Sequence, residues 1–391
     1  MRASQTRILT THTGSLPRAP KLAQLHTRRF AGEPVDEAEF AAQVAAGVAQ
    51  AIAAQARVGV DIGNNGEAPR DSYVTYVRER LTGLGGRSAH PMMADMARYE
   101  GFMALLARSD GGARVNMAAA PQAVGPVAYV TGAIEAECAQ LTAALKTAGD
   151  PFVEAFVSSP SPGLVALAVQ NAHYPSFAEY LDAVAAALAV EYRAIVEAGF
   201  LLQIDAPDLA MERHAQFAGR PLAEFIAFIR LVVSRLNAAL AGIPGERVRL
   251  HVCWGNYEGP HDLDVGLDAI WPEIRKAKVG ALMLSLANPR HAHELRCLAG
   301  GAFPADLILV PGVIDTTTNY VEHPEVVAAR IVAAAEAIGD PTRIIAGTDC
   351  GFESATGFGA VAPDVAWAKL ESLTAGARLA TERLFGRGAV R

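Results

Sequence analysis

Cysteine is scarce in this sequence, and its scarcity excludes one class of protein. Four cysteines in 391 residues are too few for the disulfide framework that holds a small secreted domain together. The thiols are therefore expected to be free in a reducing, cytoplasmic compartment, where they stay available to bind metal. They are Cys138, Cys253, Cys297 and Cys350.

Long apolar runs and an excess of positive charge are also missing. No charge-free apolar stretch reaches the roughly eighteen residues that a membrane span needs, so no membrane partner is expected. The formal net charge of −7 argues against nucleic acid and anionic membranes as partners. The first residues, MRASQTRILTTHTGSLPR, lack the apolar centre of a signal peptide.

An alternation of apolar runs and helical stretches occupies most of the chain. It implies parallel strands joined by helical crossovers, and eight such units predict a closed (β/α)8 TIM barrel of the α/β class. An open doubly wound sheet is the rival fold, but no GxGxxG follows the first strand and GxxxxGK[ST] does not occur. The strand runs are 8–17, 58–67, 153–163, 201–208, 248–255, 281–289, 307–315 and 344–352, and the helical stretches are 37–57, 177–198, 221–242, 264–277, 290–299, 324–337 and 363–385.

A single catalytic barrel over residues 1–391 is the simplest organisation, with one inserted segment at about 71–150. The first part of that segment, 71–111, follows the second strand. The remainder, 113–150, is interpreted as an inserted hairpin and helix that precede the third strand. No linker or additional repeat divides the chain.

Polar residues gather at the carboxyl ends of the predicted strands, which meet at one mouth of a barrel, where active sites lie. Arg18 and Arg70 follow strand ends and are candidates for binding an anionic substrate group; salt bridges at the rim are the alternative. The residues expected at the mouth are Ser15, Glu67, Ser161, Asp205, His251, Cys253, Asp315, Asp349 and Cys350.

His251 and Cys253 carry the strongest chemical signal. Side chains two apart on a strand share a face, so this pair could bind one ion together with Cys350. An imidazole and two thiolates suit zinc, and three protein ligands leave a fourth position for a substrate thiol. The alternative is a core histidine beside a buried cysteine. The HAHE run at 291–294 is interpreted as structural, because residues two apart on a helix point away from each other.

The chain resembles the cobalamin-independent methionine synthase family, in particular its C-terminal catalytic barrel and the shorter stand-alone homologues. The resemblance implies a TIM barrel, a catalytic zinc ion, and alkyl transfer to a zinc-bound thiolate. The matching segments appear in the family's order along nearly the whole chain. They are THTGSLPR (11–18), GNNGEAPRD (63–71), LQIDAPDLAM (202–211), HVCWGNYEGPHD (251–262), LANPRHAHE (286–294), PGVIDTTTNYVEHPE (311–325) and AGTDCGF (346–352).

Carried over by position, the resemblance makes His251, Cys253 and Cys350 the zinc ligands. Ser285 stands where the family has a glutamate as the fourth ligand, and a neutral hydroxyl is a poor ligand for zinc. The family's histidine after the PGV-D strand is replaced near Thr317. The half of full-length methionine synthase that helps to hold folate has no counterpart in this chain.

The resemblance also implies a substrate site. Ser15, Glu67 and Asp205 match positions that hold homocysteine, and either carboxylate could pair with a substrate ammonium. Asp315 and Asp349 complete the candidate catalytic carboxylates as supports of the metal ligands.

The sequence therefore predicts a zinc-dependent alkyltransferase, specifically a methyltransferase, with a small-molecule thiol and an alkyl donor as partners. A homo-oligomer stays open. Three alternatives remain: a zinc-dependent enzyme that opens epoxides with a thiol such as coenzyme M, a metal-independent lyase like the porphyrinogen decarboxylases, and a metal- or thiol-binding protein without turnover.

Overall fold

Short strands build two sheets in the computed structural model, which describes residues 1–108, 115 and 120–386. All eight predicted strand runs contain a strand. The strands are β1 (Leu9–Thr10), β2 (Ile62–Gly63), β3 (Leu84–Gly85), β4 (Gln122–Ala123), β5 (Glu154–Pro160), β6 (Gln170–Asn171), β7 (Leu201–Asp205), β8 (Val248–Val252), β9 (Ala281–Leu284), β10 (Ile308–Ile314) and β11 (Ile345–Thr348).

Eight of these strands form a parallel barrel. Their neighbour order is β1-β11-β10-β9-β8-β7-β5-β2, and a parallel bridge between Thr11 and Ile62 joins the two ends of the sheet. The predicted (β/α)8 barrel is confirmed. Two strands, β9 and β10, separate β8 from β11 in this ring. The residues that follow β8 and β11 therefore meet across the mouth of the barrel and not as neighbours in the sheet.

Helices cover the outside of the barrel, and their ends follow local sequence signals. The longest predicted ones are reproduced within a few residues. For example, α2 begins after Asp36, whose carboxylate accepts from two helix N–H groups, and ends at the left-handed Gly59 (φ 82°). The helices are α1 (Pro20–Phe30), α2 (Glu37–Val58), α3 (Ala94–Ala97), α4 (Glu100–Arg108), α5 (Ala133–Thr147), α6 (Pro162–Ala168), α7 (Phe177–Glu197), α8 (Leu222–Ala239), α9 (Leu267–Ile274), α10 (Pro324–Ile338) and α11 (Pro363–Phe385).

The stretch predicted as a helix at 290–299 is a 3-10 helix, Ala292–Leu298. Glu294 N–H donates to His291 O at 2.9 Å, which is the i+3 spacing of that tighter helix. None of the described helices combines the length and the apolar character that a membrane crossing needs.

The inserted segment contributes β3 and β4 to a small sheet outside the barrel, and the third strand, β6, follows β5 and α6. Within it, β4 pairs antiparallel with β3 and parallel with β6. The hairpin predicted inside 113–150 is therefore not local: the partner of β4 lies in the earlier part of the insertion. The predicted helix of this segment is α5. Residues 109–114 and 116–119 of the predicted insertion lie outside the described residues.

Side chains fill the barrel interior below the mouth. Arg249 of β8 lies there without exposure, its guanidinium 3.8 Å from the Phe156 ring centroid. It donates to Gln203 Oε1 (2.8 Å), Thr11 Oγ1 (2.9 Å) and His12 O (3.0 Å), and burial lowers its pKa to about 9. The apolar members of this layer are Leu9, Ile62, Phe156, Leu201, Ala281, Met283, Val310 and Ile345.

Candidate metal centre

The three predicted metal ligands meet at the mouth of the barrel. His251 lies on β8, Cys253 follows that strand, and Cys350 follows β11. One nitrogen of His251 and the two sulfur atoms all lie within 4.8 Å of one another. His251 and Cys253 are buried and Cys350 is partly buried. This donor set, closely spaced and shielded from water, fits a zinc ion.

Asp205 on β7 fixes the orientation of His251. Its Oδ1 lies 3.1 Å from His251 Nδ1 and accepts from Gln203 Nε2 at 2.8 Å. The other ring nitrogen, Nε2, lies 3.1 Å from the main-chain oxygen of Asp349. A carboxylate on the outer nitrogen is the usual support of a metal-binding histidine, because it fixes the tautomer and the ring plane.

Electrostatics favour a thiolate at this centre. The hydrogen bond with Cys350 outweighs burial and, with His251 beside it, holds the pKa of the Cys253 thiol well below its ordinary value. Burial favours the neutral ring of His251, but Cys253 and Asp205 outweigh it and raise the pKa of His251 to about 10. A cation is therefore favoured between these groups, either as a proton on the ring or as a metal ion.

Asp349 organises the loop that follows β9. Its carboxylate accepts three main-chain N–H groups, from Leu286 (2.9 Å), Ala287 (2.8 Å) and Asn288 (2.8 Å). Ser285 Oγ donates to the main-chain oxygen of Asp349 at 2.7 Å. Ser285, predicted to stand at a glutamate ligand position, thus contacts the backbone directly before Cys350.

Asp315 has a comparable role on the next loop. Its Oδ1 accepts from the N–H (2.7 Å) and the hydroxyl (2.8 Å) of Thr317, and its own N–H donates to Glu322 Oε1 at 2.8 Å. Asp315 and Asp349 both line the cavity beside Cys350. Their predicted role as supports of the ligand loops agrees with these contacts and remains a prediction.

Glu67 offers a carboxylate oxygen with no hydrogen-bond partner among the described residues. Its Oε1 accepts from Ser158 Oγ at 2.7 Å, whereas Oε2 is buried and unpaired. The residue has a left-handed φ of 57°, a conformation that is often retained at functional sites. A Cβ at Gly14 would lie 2.4 Å from Glu67 Oε1, so only glycine fits there. Burial and the neighbouring Asp205 raise the pKa of Glu67 to about 7.

Glu67→Gln is expected to stabilise the metal-stripped protein at pH 8 by on the order of 1–3 kcal/mol, and by much less at pH 5. The raised pKa means that folding disfavours the charged carboxylate. This cost is absent below the unfolded value of 4.5 and complete above about 7. Urea unfolding at both pH values measures the difference. Glu197→Gln, an exposed site at the end of α7, is the control. An equal gain at both pH values would contradict the explanation.

Ser15 packs against the backbone next to Cys350. It is buried, and a Cβ at Gly351 would lie 2.0 Å from its Oγ. Ser15 O also accepts the N–H of Phe352 at 2.9 Å. These contacts place the first βα loop beside the predicted metal ligands.

Arg18 holds the backbone around Glu67, whereas the Arg70 side chain is directed to Ser158 and Glu137. Arg18 donates to the main-chain oxygens of Glu353, Glu67 and Arg70 at 2.9–3.1 Å. Arg70 is buried and pairs with Glu137 at 3.1 Å. Both guanidinium groups thus bind protein atoms, and binding of a substrate anion by either remains a prediction.

Two polar side chains of the site escaped the sequence interpretation. Gln203 donates to Asp205 and fixes its carboxylate. It lies two residues before Asp205 on β7, so strand alternation could have predicted that the two side chains share a face. Asn256 donates to Gly351 O at 2.8 Å and accepts from Thr316 Oγ1 at 2.9 Å. It links the loops after β8, β10 and β11, and nothing in the local sequence distinguishes it from any loop asparagine.

Comparison with known proteins agrees with this architecture. The family model described as "Cobalamin-independent synthase, Catalytic domain" matches residues 8–123. The predicted resemblance to the cobalamin-independent methionine synthase family is confirmed. The matched residues include Ser15, Arg18, Glu67 and Arg70. The three metal-ligand candidates lie beyond residue 123, so their assignment depends on geometry.

Solved structures of this family share the fold along almost the whole chain. A B12-independent methionine synthase from Shewanella sp. W3-18-1, in complex with selenomethionine, is 20% identical with a TM-score of 0.72; the match covers 97% of this chain and 99% of that one. A protein from Listeria monocytogenes described as a vitamin-B12-independent methionine synthase is 18% identical with a TM-score of 0.63, covering 95% and 98%. No curated protein matches the chain.

Proposed function

We propose that this protein catalyses the metal-dependent transfer of an alkyl group, specifically methyl, to a small thiol. The observation that carries the proposal is the convergence of His251, Cys253 and Cys350 within 4.8 Å at the carboxyl ends of the barrel strands. Zinc bound by these residues would lower the pKa of a coordinated thiol, so that the thiolate forms at neutral pH.

The surrounding residues prepare the centre for a fourth, exchangeable ligand. Asp205 and Gln203 orient the imidazole of His251. The hydroxyl of Ser285 donates to Asp349 O and, as a neutral oxygen, is a weak ligand for zinc. A metal ion would thus have three strong protein donors, which is the pattern of catalytic zinc sites and not of structural ones.

Glu67 and Asp205 favour a thiol that carries an ammonium group. The buried, unpaired Oε2 of Glu67 would gain a charged donor from such a substrate. The raised pKa of Glu67 would then fall on binding, because a positive charge would offset the repulsion by Asp205. Homocysteine has this combination of thiol and ammonium, and the Shewanella relative was solved with selenomethionine, the selenium analogue of its methylated product.

A thiol-alkylation assay tests the proposal. The full-length protein, loaded with zinc, is incubated with homocysteine or 2-mercaptoethanesulfonate together with a folate methyl donor, a sulfonium methyl donor or a small epoxide. Loss of free thiol and the mass of the thioether are measured. We expect homocysteine to be methylated, the activity to disappear on chelation, and zinc to restore it.

The other outcomes identify the alternatives. Thiol consumption with the epoxide alone indicates an epoxide-opening transferase. Stoichiometric metal without consumption of any thiol indicates a binding protein without turnover. Decarboxylation of a porphyrinogen by the chelated protein indicates a lyase. Each of these results would contradict methyl transfer as the function.

A further inference from the structure

A second cluster of titratable side chains surrounds Asp264, in the wall of the same cavity. His214 ends a 3-10 helix, Met211–His214, that follows β7. His261 and Asp264 lie in the loop after β8, and His291 lies in the loop after β9. Because these strands are neighbours in the barrel, their loops converge. His261 and His291 line the cavity that Cys350 also lines.

Three imidazole nitrogens point at one carboxylate. His261 Nδ1 and His291 Nε2 lie 2.9 Å and 2.7 Å from Asp264 Oδ2, and His214 Nδ1 lies 3.1 Å from Asp264 Oδ1. All four side chains are at most 4% exposed. The last pair does not have the orientation of a hydrogen bond, and both of its atoms are buried without a partner.

The outer nitrogens of the three rings face oxygen atoms as well. His261 Nε2 lies 3.0 Å from Tyr257 O, and His291 Nδ1 lies 3.2 Å from Glu294 Oε2. His214 Nε2 lies 3.3 Å from Tyr257 Oη, whose own proton is donated to a buried carboxylate. Acceptors on the outer nitrogens are the support that metal-binding histidines require.

The number of protons on the rings limits the hydrogen bonds in this cluster. A neutral imidazole has one N–H, so each neutral ring can donate to its outer or to its inner acceptor but not to both. With the outer nitrogens protonated, three lone pairs face Asp264 at 2.7–3.1 Å. That is unfavourable unless the rings gain second protons or a cation binds the inner atoms. Imidazolium ions packed this closely would repel one another, whereas one metal ion replaces the inner protons of His261 and His291 together.

We propose that His261, Asp264 and His291, whose ligand atoms all lie within 4.8 Å of one another, bind a second divalent metal ion of the zinc class through two nitrogens and one oxygen. His214 would support this site from the other oxygen of Asp264, which lies 3.1 Å from its Nδ1. The ion would join the loops after β8 and β9 and so fix one wall of the cavity beside Cys350. The assignment does not depend on the reaction that the first centre catalyses.

Metal counting on the full-length protein tests the proposal. After purification in zinc-containing buffer, elemental analysis is expected to give two zinc ions per chain for the wild type. Asp264→Asn and His291→Gln are each expected to retain one, bound by Cys253 and Cys350. The matched control is His293→Ala, two residues from His291 in the same HAHE run but exposed, and it is expected to retain two.

The Cys253→Ser/Cys350→Ser double variant tests the second site without changing it. Titrated with Co2+, it is expected to bind one equivalent, to show no thiolate-to-metal charge-transfer band, and to quench Trp254, whose ring stacks on His291 at 3.9 Å. Circular dichroism confirms folding of each variant. One zinc ion per wild-type chain, or a double variant that is folded but binds no Co2+, would overturn the proposal in favour of an imidazolium cluster.

Discussion

Cys350→Ser is expected to abolish zinc binding beside His251 and to lower kcat/KM for the proposed thiol alkylation by at least about 100-fold. Substitutions of residues that only support a metal ligand already cost about 10–100-fold. The serine hydroxyl stays neutral at physiological pH, so the centre would retain only one thiolate and one imidazole. Cys253 would also lose the hydrogen bond that contributes most to its lowered pKa. Zinc content and initial rates measure both effects.

Cys297→Ser is the matched control for this experiment. Cys297 is a partly buried free thiol on the 3-10 helix Ala292–Leu298, outside the predicted ligand set. The substitution is expected to leave metal content and rate within about twofold, since partly exposed positions seldom contribute more than about 0.5 kcal/mol. A Cys350→Ser protein that keeps its zinc and its activity would remove Cys350 from the centre.

Lys369→Met is expected to lower the free energy of unfolding by about 3–5 kcal/mol. Lys369 Nζ on α11 lies 2.9 Å from Glu322 Oε2, and the two side chains are 0% and 1% exposed. The substitution would leave a buried carboxylate without its cation. Glu322 Oε1 also accepts the N–H of Asp315, so the loop at the edge of the active cavity depends on the same carboxylate. Urea unfolding followed by circular dichroism measures the change.

Two further variants separate the burial of charge from the loss of side-chain packing. Lys369→Met combined with Glu322→Gln is expected to recover part of the lost stability, because no charge is then left unpaired. Lys276→Met removes a lysine that is 56% exposed from its pair with Glu273, which keeps Arg230 as a partner at 2.8 Å, and is expected to cost at most about 1 kcal/mol. If the single Lys369 substitution cost no more than the Lys276 substitution, the buried pair would have no special weight.

Most of the secondary structure could be predicted from the sequence because its signals are local. The limits of α2, α7, α10 and α11 agree with the predicted helices within about a residue. Their apolar periodicity and their capping residues lie within each segment. The eight strands are likewise marked by apolar runs that end in polar or glycine residues.

The proximity of Cys350 to His251 could not be derived from local patterns. The two residues lie almost 100 positions apart on non-adjacent strands, and only closure of the ring brings them together. The family resemblance supplied that pairing. The interior partners of Arg249 were unpredictable for the same reason: Thr11 and His12 follow β1, on the far side of the barrel from β8.

The cluster around Asp264 was beyond sequence interpretation for a related reason. The HAHE run drew attention to His291 and His293, and the structure leaves His293 exposed while His291 contacts Asp264. The partners of His291 lie in two other loops, and loops carry no periodic pattern that indicates which side chains face one another.

The filled layer beneath the mouth of the barrel restricts substrate entry and product release to one side. Because Arg249 and its apolar neighbours fill the barrel below the mouth, the thiol and the thioether of the proposed reaction would enter and leave by the same opening. A product that dissociates slowly would block binding of the next thiol. Thioether added to the assay is therefore expected to inhibit competitively with the thiol.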